Sequence, residues 1–370
     1  MTLHAITKPH PGRPTLLMAG QALQERLARA KKAYTTRRLD LTRAARIGGG
    51  NAPRAGDFVL ARVLAIGHHP GLELASGRRA QLHMGDEVLV CYGSRYAPDQ
   101  FEAILPEDLG ACDLVAAGGL ASRMRSRHTR MKAPTALEPI GLLCDDRGAV
   151  LNLESCGLAP RPALRTQPPV LAVLGTSMNS GKTTTCASLV RGFVQRGLRV
   201  AAAKVTGTGA GGDRWCVADA GASPVLDFTD AGVPSTFGLP APQVESIFAT
   251  IVATLADTAP DVIVLEVADG LFQCETAALL ESRGFGEVVD GIVFASGEAM
   301  GAKAGVEMLQ ARGHCVLAVS GLLTASPLAT REAAGAVSVP VVANGDIAAG
   351  LWLPDLEAMR AAPMARRALA

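Results

Sequence analysis

Apolar positions along this chain fall into two textures that meet near residue 165. The runs GDFVLARVLAIG (56–67) and RRAQLHMGDEVLVCYG (78–93) alternate apolar with polar residues and contain Gly-Asp turns. Period-two patterning of this kind marks half-buried strands and predicts hairpins of a small barrel or sandwich. Beyond residue 165 the apolar runs become nearly continuous: PVLAVLG (169–175), LRVAAAKVTG (198–207), DVIVLEVADG (261–270), DGIVFASG (290–297), HCVLAVSG (314–321) and VPVVANG (339–345). Such runs suit parallel strands covered on both faces. Segments of helical period lie between most of them, including KTTTCASLVRGFVQRG (182–197), with Gly197 placed to close the helix. The alternation predicts an α/β fold whose parallel sheet presents its chemistry just beyond the carboxyl ends of the strands.

Composition changes the picture little. Of 370 residues 48% are hydrophobic and 4% aromatic, so the apolar content is chiefly Ala, Val and Leu. No apolar run approaches the roughly 18 residues of a membrane span. Leu16-Leu17-Met18 is too short for an export signal, and the eight cysteines include no Cys-x-x-Cys pair. A cytoplasmic protein with reduced thiols is expected.

Charge adds an asymmetry. The 36 basic and 34 acidic residues divide as 11 and two in residues 1–54, and as 25 and 32 elsewhere. Leu23, Leu27, Ala30 and Tyr34 share a helical face, with Arg26, Arg29, Lys31 and Lys32 around it. This predicts a basic, partly helical arm over 1–54. Single-strand binders interleave several aromatics with their cations, and only Tyr34 is available here. The arm is therefore expected to be a solvated helix face or to pack on an acidic partner subunit, and not to bind nucleic acid; a membrane partner is not expected either.

Other features stand out between the arm and residue 165. SRYAPDQFEAILP (94–106) reads as an exposed functional loop. Arg123, Arg125 and Arg127 alternate within GGLASRMRSRHTRMKAPT (118–135), and an extended backbone would line them along one edge. His68, His69 and His83 carry no ligand spacing that fixes a metal site. LAPRPALRTQPP (158–169) is a linker by its prolines. The expected division is an arm over 1–54, a β-rich domain with linker over 55–165, and an α/β domain over 166–370.

The sharpest motif is VLGTSMNSGKTTT (173–185), in which a buried strand ends at Gly175 and a helix opens at Gly181-Lys182-Thr183. Backbone N–H groups and a helix N-terminus there meet an anion, Lys182 reaches the β and γ phosphates, and the Thr183 hydroxyl faces Mg²⁺. The nucleotide-binding set is Gly175, Thr176, Asn179, Ser180, Gly181, Lys182, Thr183 and Thr184. A carboxylate at the end of a later strand would complete the metal site, and VIVLEVADG places Glu266 there. In GTGAGGDRW (207–215), Asp213 is a further candidate metal ligand and Arg214 a candidate anion clamp.

Thr176 in place of the usual first glycine, followed by Gly181-Lys182-Thr183, resembles the dethiobiotin synthetase group of P-loop NTPases. In AKVTGTG, Lys204 and Thr208 match that group's lysine and hydroxyl after the second strand, and Glu266 in LEVADG matches its magnesium-binding glutamate. FASGEAMGAKAG (294–305), which contains Gly301, is similar to its substrate loop. The resemblance covers roughly residues 169–345. A P-loop family that includes D-amino-acid N-acetyltransferases shares the pattern, with stretches like VLDFTDAG and GLF.

The departures exclude dethiobiotin synthesis itself. Ser177 and Asn179 stand where that group has acidic side chains, Ser320 where it has an adenine-reading asparagine, and Val205 where it has proline. It also has no counterpart of residues 1–165. What the resemblance implies is a P-loop NTPase domain preceded by a smaller β-rich domain, in a homodimer or larger homo-oligomer. ATP and Mg²⁺ are the expected cofactors, favoured over GTP because no Asn-Lys-x-Asp motif is present. The expected reaction is phosphoryl activation of a carboxyl-type group on a small carboxylate or amino-acid-like substrate, for C–N bond formation. Lys182 and Lys204 would be catalytic, and Thr208, Arg214 and Gly301 would meet substrate. The alternatives are an N-acyltransferase and a regulatory nucleotide switch on the same scaffold.

Overall fold

The computed structural model describes residues 15–50, 52–162 and 167–359. They group into two compact units, one of residues up to 94 with 103–155, the other of 95–102 with the chain from 156 onward.

In the first unit Thr15–Ala19 pairs antiparallel with Arg46–Gly49, which pairs with Thr135–Cys144. That long strand pairs with Phe58–Ala65, which in turn pairs with Glu87–Tyr92, from Phe58 opposite Cys91 to Arg62 opposite Glu87. Alternate residues Val59, Ala61, Val63, Val88 and Val90 enter one core, as period-two patterning requires.

Among the described residues the basic region is built into the first unit. Its Gln21–Arg29 helix buries Leu23 and Leu27, and Arg46–Gly49 belongs to the sheet. Arg26 Nε lies 2.9 Å from Glu87 Oε2, and Lys31 pairs with Asp86. Acids some 60 residues downstream thus answer cations that look unpaired along the chain. Part of the expected arm, residues 1–14, lies outside the described residues. Arg123, Arg125 and Arg127 do alternate along the strand Leu120–Arg127 and are exposed. His69 is buried with Nε2 2.9 Å from the Val115 carbonyl, and among the described residues no group of three or more His, Cys, Asp or Glu forms a metal cage.

The second unit holds a parallel sheet of six strands: β1 (Val170–Gly175), β2 (Val200–Lys204), β3 (Val225–Asp227), β4 (Val262–Glu266), β5 (Gly291–Ala295) and β6 (Val316–Ser320). Their order is β3-β2-β4-β1-β5-β6. The helices are α1 (Lys182–Gln195), α2 (Gly212–Asp219), α3 (Ala241–Ala256), α4 (Cys274–Glu281), α5 (Arg283–Val288), α6 (Ala299–Ala311), α7 (Pro327–Ala336) and α8 (Asn344–Ala348). In β1, Val170, Ala172 and Leu174 pack on the side of α3 to α7, and Leu171 and Val173 on the side of α1, α2 and α8. This two-sided burial is why the strands read as continuous apolar runs. Among the described residues no helix is long and apolar enough to cross a membrane.

Two strand assignments change. VPVVANG is not a strand; Val341 makes one bridge to Val319, and α8 begins at Asn344. Val225–Asp227, absent from the sequence reading, is the edge strand β3.

Candidate nucleotide-binding site

The chain leaves β1 at Gly175 because nothing larger fits: a Cβ there would lie 2.3 Å from Ser180 Oγ and 2.9 Å from the Ala295 carbonyl oxygen. The loop then passes through left-handed backbone at Asn179 (φ 65°) and Gly181 (φ 99°) before α1 begins. Thr176 N donates to Ala295 O at 3.1 Å, and Leu322 N donates to Ser180 O at 2.9 Å. Lys182 Nζ folds back to the Ser177 carbonyl at 2.8 Å. The loop is therefore pinned to the ends of two neighbouring strands, with a helix N-terminus behind it. That is the arrangement of an anion cradle.

A cleft of about 370 Å³ opens at this loop, lined by Met178, Asn179, Gly181, Lys182, Thr183, Thr184, Lys204, Asp213, Glu266, Ala268, Asp269 and Leu322. β2 and β4 are neighbours with Lys204 opposite Glu266, so both side chains emerge at one end of the sheet. The Thr183 hydroxyl stands 3.0 Å from Asp213 Oδ1 and 3.2 Å from Glu266 Oε1. Lys204 pairs with Asp213 and lies 3.7 Å from Glu266 Oε1.

The charges perturb one another. Burial, and then Asp213, push the Glu266 carboxyl above its ordinary pKa. Burial would raise Asp213 too, but Lys204, with Thr183 and Lys182, outweighs it and holds that carboxyl below its ordinary value. Burial would lower Lys204, and Asp213 and Glu266 together overcome it, so its ammonium is held above its ordinary range. Lys182 is pushed down by burial, and burial raises Asp269.

A hydroxyl and two carboxylates converging on one point are hard oxygen donors of the kind Mg²⁺ accepts, together with phosphate oxygens. Thr183, Asp213 and Glu266 fit such an ion, with Lys204 supplying the balancing charge where none is bound.

Of the expected residues, Asn179, Gly181, Lys182, Thr183, Thr184, Lys204, Asp213 and Glu266 share the cleft. Gly175, Thr176 and Ser180 form the base of the loop, and the Ser180 side chain is buried over Gly175. Three others stand elsewhere. Thr208 makes a backbone bridge to Ser235 outside the lining. Arg214 lies outside this lining, where its Nη1 donates to Asp230 at 2.7 Å, and Asp230 also accepts from Asp227 N at 2.9 Å. Gly301 donates its N–H to Glu298 at 2.6 Å, and a Cβ there would lie 2.9 Å from Thr176 Cγ2, so it packs against the phosphate loop. Ser320 is buried and directed to Asn344 Oδ1 at 3.0 Å, an oxygen that Thr185 also reaches at 3.0 Å.

The sequence reading passed over Asp269, although it stands three residues after Glu266 in the same motif. It also passed over Asp99, whose Oδ2 accepts from Asn179 Nδ2 at 2.9 Å. No local pattern signals that contact, since 80 residues separate the two.

No family model matches this chain, and no curated protein matches it. Among solved structures it is similar to the signal recognition particle receptor FtsY from Elizabethkingia anophelis in complex with GDP. That match has 20% identity over 49% of this chain and 58% of the receptor, at a TM-score of 0.35. Chloroplast FtsY from Physcomitrella patens matches at 16% identity over 51% and 62% of the two chains, also at 0.35. The 54 kDa signal recognition particle protein from Aeropyrum pernix K1 in complex with GDP matches at 17% over 55% and 50%, again at 0.35. This chain spans less than two thirds of each of these proteins. A glycine-bounded loop joins the central strand to α1, Lys182 and Thr183 open that helix, and Glu266 ends the adjacent parallel strand: the second unit has the fold of a P-loop NTPase.

Proposed function

We propose that the second unit binds a nucleoside triphosphate with Mg²⁺ and transfers its terminal phosphoryl group to a carboxyl-type oxygen of a small acid or amino-acid-like molecule. The observation that carries this reading is the Thr183 hydroxyl between Asp213 and Glu266, with Lys182 and Lys204 in the same cleft. Phosphoryl transfer asks a protein mainly for positioning and charge neutralisation. Lys182 would hold the β and γ oxygens, and Thr183, Asp213 and Glu266 would orient the metal. Bound Mg²⁺ supplies charge neutralisation on the phosphates. Asp269 lines the same cleft and is raised by burial; a carboxylate acceptor attacks through its own oxygen and needs no base to take a proton from it. The resemblance to dethiobiotin synthetases supports the acceptor class, and a homodimer belongs to the same proposal.

The pairing of Lys204 with Asp213 favours a second reading, a regulatory switch. In it Lys204 balances the metal carboxylates and does not aim at an acceptor. Nucleoside diphosphate release, measured with ATP and with GTP over a small library of amino and carboxylic acids, separates the two. Release that depends on one acceptor class supports transfer. Tight nucleotide binding with no acceptor dependence supports the switch. Turnover of an acyl donor unaffected by nucleotide or by Lys182→Ala overturns both in favour of acyl transfer.

A further inference from the structure

Residues 95–102 belong to the second unit, although the chain on either side of them builds the first. They form a tight hairpin. Gln100 N donates to Ala97 O at 2.9 Å and Ala97 N to Phe101 O at 3.0 Å, closing a turn over Ala97-Pro98-Asp99-Gln100. Proline at the second position presets that turn, and Asp99 rides at its tip. The stem is fixed by burial: Arg95, Ala97 and Phe101 are 6%, 3% and 0% exposed. Arg95 donates to Gln100 Oε1 at 2.8 Å, and the Tyr96 and Phe237 rings stand 5.5 Å apart.

From that tip, Asp99 Oδ2 accepts from the Asn179 side chain at 2.9 Å. Asn179 is one of two positive-φ residues other than glycine among the described residues. It sits in the loop between the Lys182 tie at Ser177 and the Leu322 tie at Ser180. Left-handed backbone is disfavoured for residues with a Cβ, least so for Asn, whose side chain can be anchored by a hydrogen bond, and it persists where surrounding contacts over-determine it. A hydrogen bond to a carboxylate, delivered by a rigid turn, is such a contact. Ser177 and Ser180 are held by backbone ties at either side, and Asn179 by its side chain.

We infer that Asp99 is a positioning residue for the phosphate loop: the hairpin 95–102 holds Asn179 in the left-handed conformation that shapes the anion cradle. This rests on the nucleotide-binding reading above. The carboxylate also brings a negative charge toward an anion site. Its hydrogen bond helps the nucleotide and its charge opposes it, so the two contributions can be separated by substitution.

The test compares Asp99→Ala, which removes acceptor and charge, with Asp99→Asn, which removes the charge and keeps an acceptor, in the full chain. Affinity for a fluorescent ATP analogue and for GDP is measured with Mg²⁺ present, beside thermal stability. Asp99→Ala should weaken binding about tenfold, and Asp99→Asn should bind as tightly as wild type or more so. Asn179→Ala should weaken binding to the same degree and add nothing in the Asp99→Ala background. Equal affinity of wild type and Asp99→Ala overturns the inference, as does a loss in Asp99→Ala that multiplies fully with the loss in Asn179→Ala. A second measurement needs no nucleotide: amide exchange across residues 176–181 should speed up in Asp99→Ala and not in Asp99→Asn. If wild type binds no nucleotide, the proposed function fails, while this exchange pattern still decides the positioning role. Unchanged exchange overturns it.

Discussion

At the scale of single residues, the cleft is a set of buried charges that balance one another. Lys182 is buried and its pKa is lowered by that burial, so its charge is favoured when phosphate oxygens meet it. Lys182→Ala should abolish nucleotide binding, read by calorimetry, with a melting temperature equal to or above wild type. Glu266 has a folded-state pKa above its unfolded value, so its ionised form destabilises the fold once pH exceeds the unfolded value. Glu266→Gln should therefore melt higher than wild type at pH 7 without metal, while its nucleotide affinity loses its response to Mg²⁺. Melting curves that superimpose, with an intact Mg²⁺ response, would make Glu266 a structural residue. Lys204 gives the opposite sign. Lys204→Met leaves Asp213 and Glu266 facing each other with only Lys182 as a neighbouring cation, and breaking a buried pair in this way costs about 3–5 kcal/mol. Both carboxyl pKa values then rise, so the variant should regain stability as pH falls from 7 toward 5, where wild type gains less. A variant as stable as wild type at pH 7 would remove Lys204 from the charge balance.

At the scale of elements, α2 shows how a helix can be held by one residue and used by the next. Arg214 ties it to Asp230, and Asp213 beside it reaches Thr183 and Lys204. Arg214→Met should leave the sheet folded but loosen Asp213, raising the Mg²⁺ concentration needed for half-maximal nucleotide binding several-fold; an unchanged requirement would show that α2 is held by its other contacts. Much of this unit is legible in sequence. Five strands show as apolar runs because both faces of the sheet are covered, and Gly175 and Gly181 bracket the loop because close approach and positive φ exclude other residues there. Four things are not legible. The three-residue β3 is too short to show a period, and VPVVANG has strand composition but makes only one bridge. The role of Arg214 depends on a turn at Asp230 that no spacing announces. SRYAPDQ is polar enough to read as exposed, yet Arg95 is buried through contacts made in three dimensions.

At the scale of the whole molecule, the second unit is not one continuous stretch of chain. A fragment beginning at residue 156 keeps all six parallel strands and the phosphate loop, but it lacks the hairpin that meets Phe237 and Asn179. Such a fragment should melt several degrees below the second unit within the intact chain, followed by amide exchange in its six strands, and bind nucleotide more weakly. Equal stability and affinity would show that the hairpin is dispensable. The assembly proposal also changes character at this scale. Because Arg26 and Lys31 are already paired with Glu87 and Asp86 within one chain, a homodimer need not draw on these two cations. Sedimentation of Arg26→Ala should therefore show the oligomeric state of wild type, and dissociation would return the basic region to the contact.

The inserted hairpin also imposes a timetable. Asp99 leaves the ribosome about 80 residues ahead of Asn179, which is about 4–16 s at about 5–20 residues per second. During that interval Tyr96 has no Phe237 ring to meet and Asp99 no Asn179 side chain, so the nascent chain carries the hairpin in advance of its acceptor. Codons between these positions thus set how long an unfinished surface stays open, and slowing translation there should raise the aggregated fraction more than slowing it after residue 240.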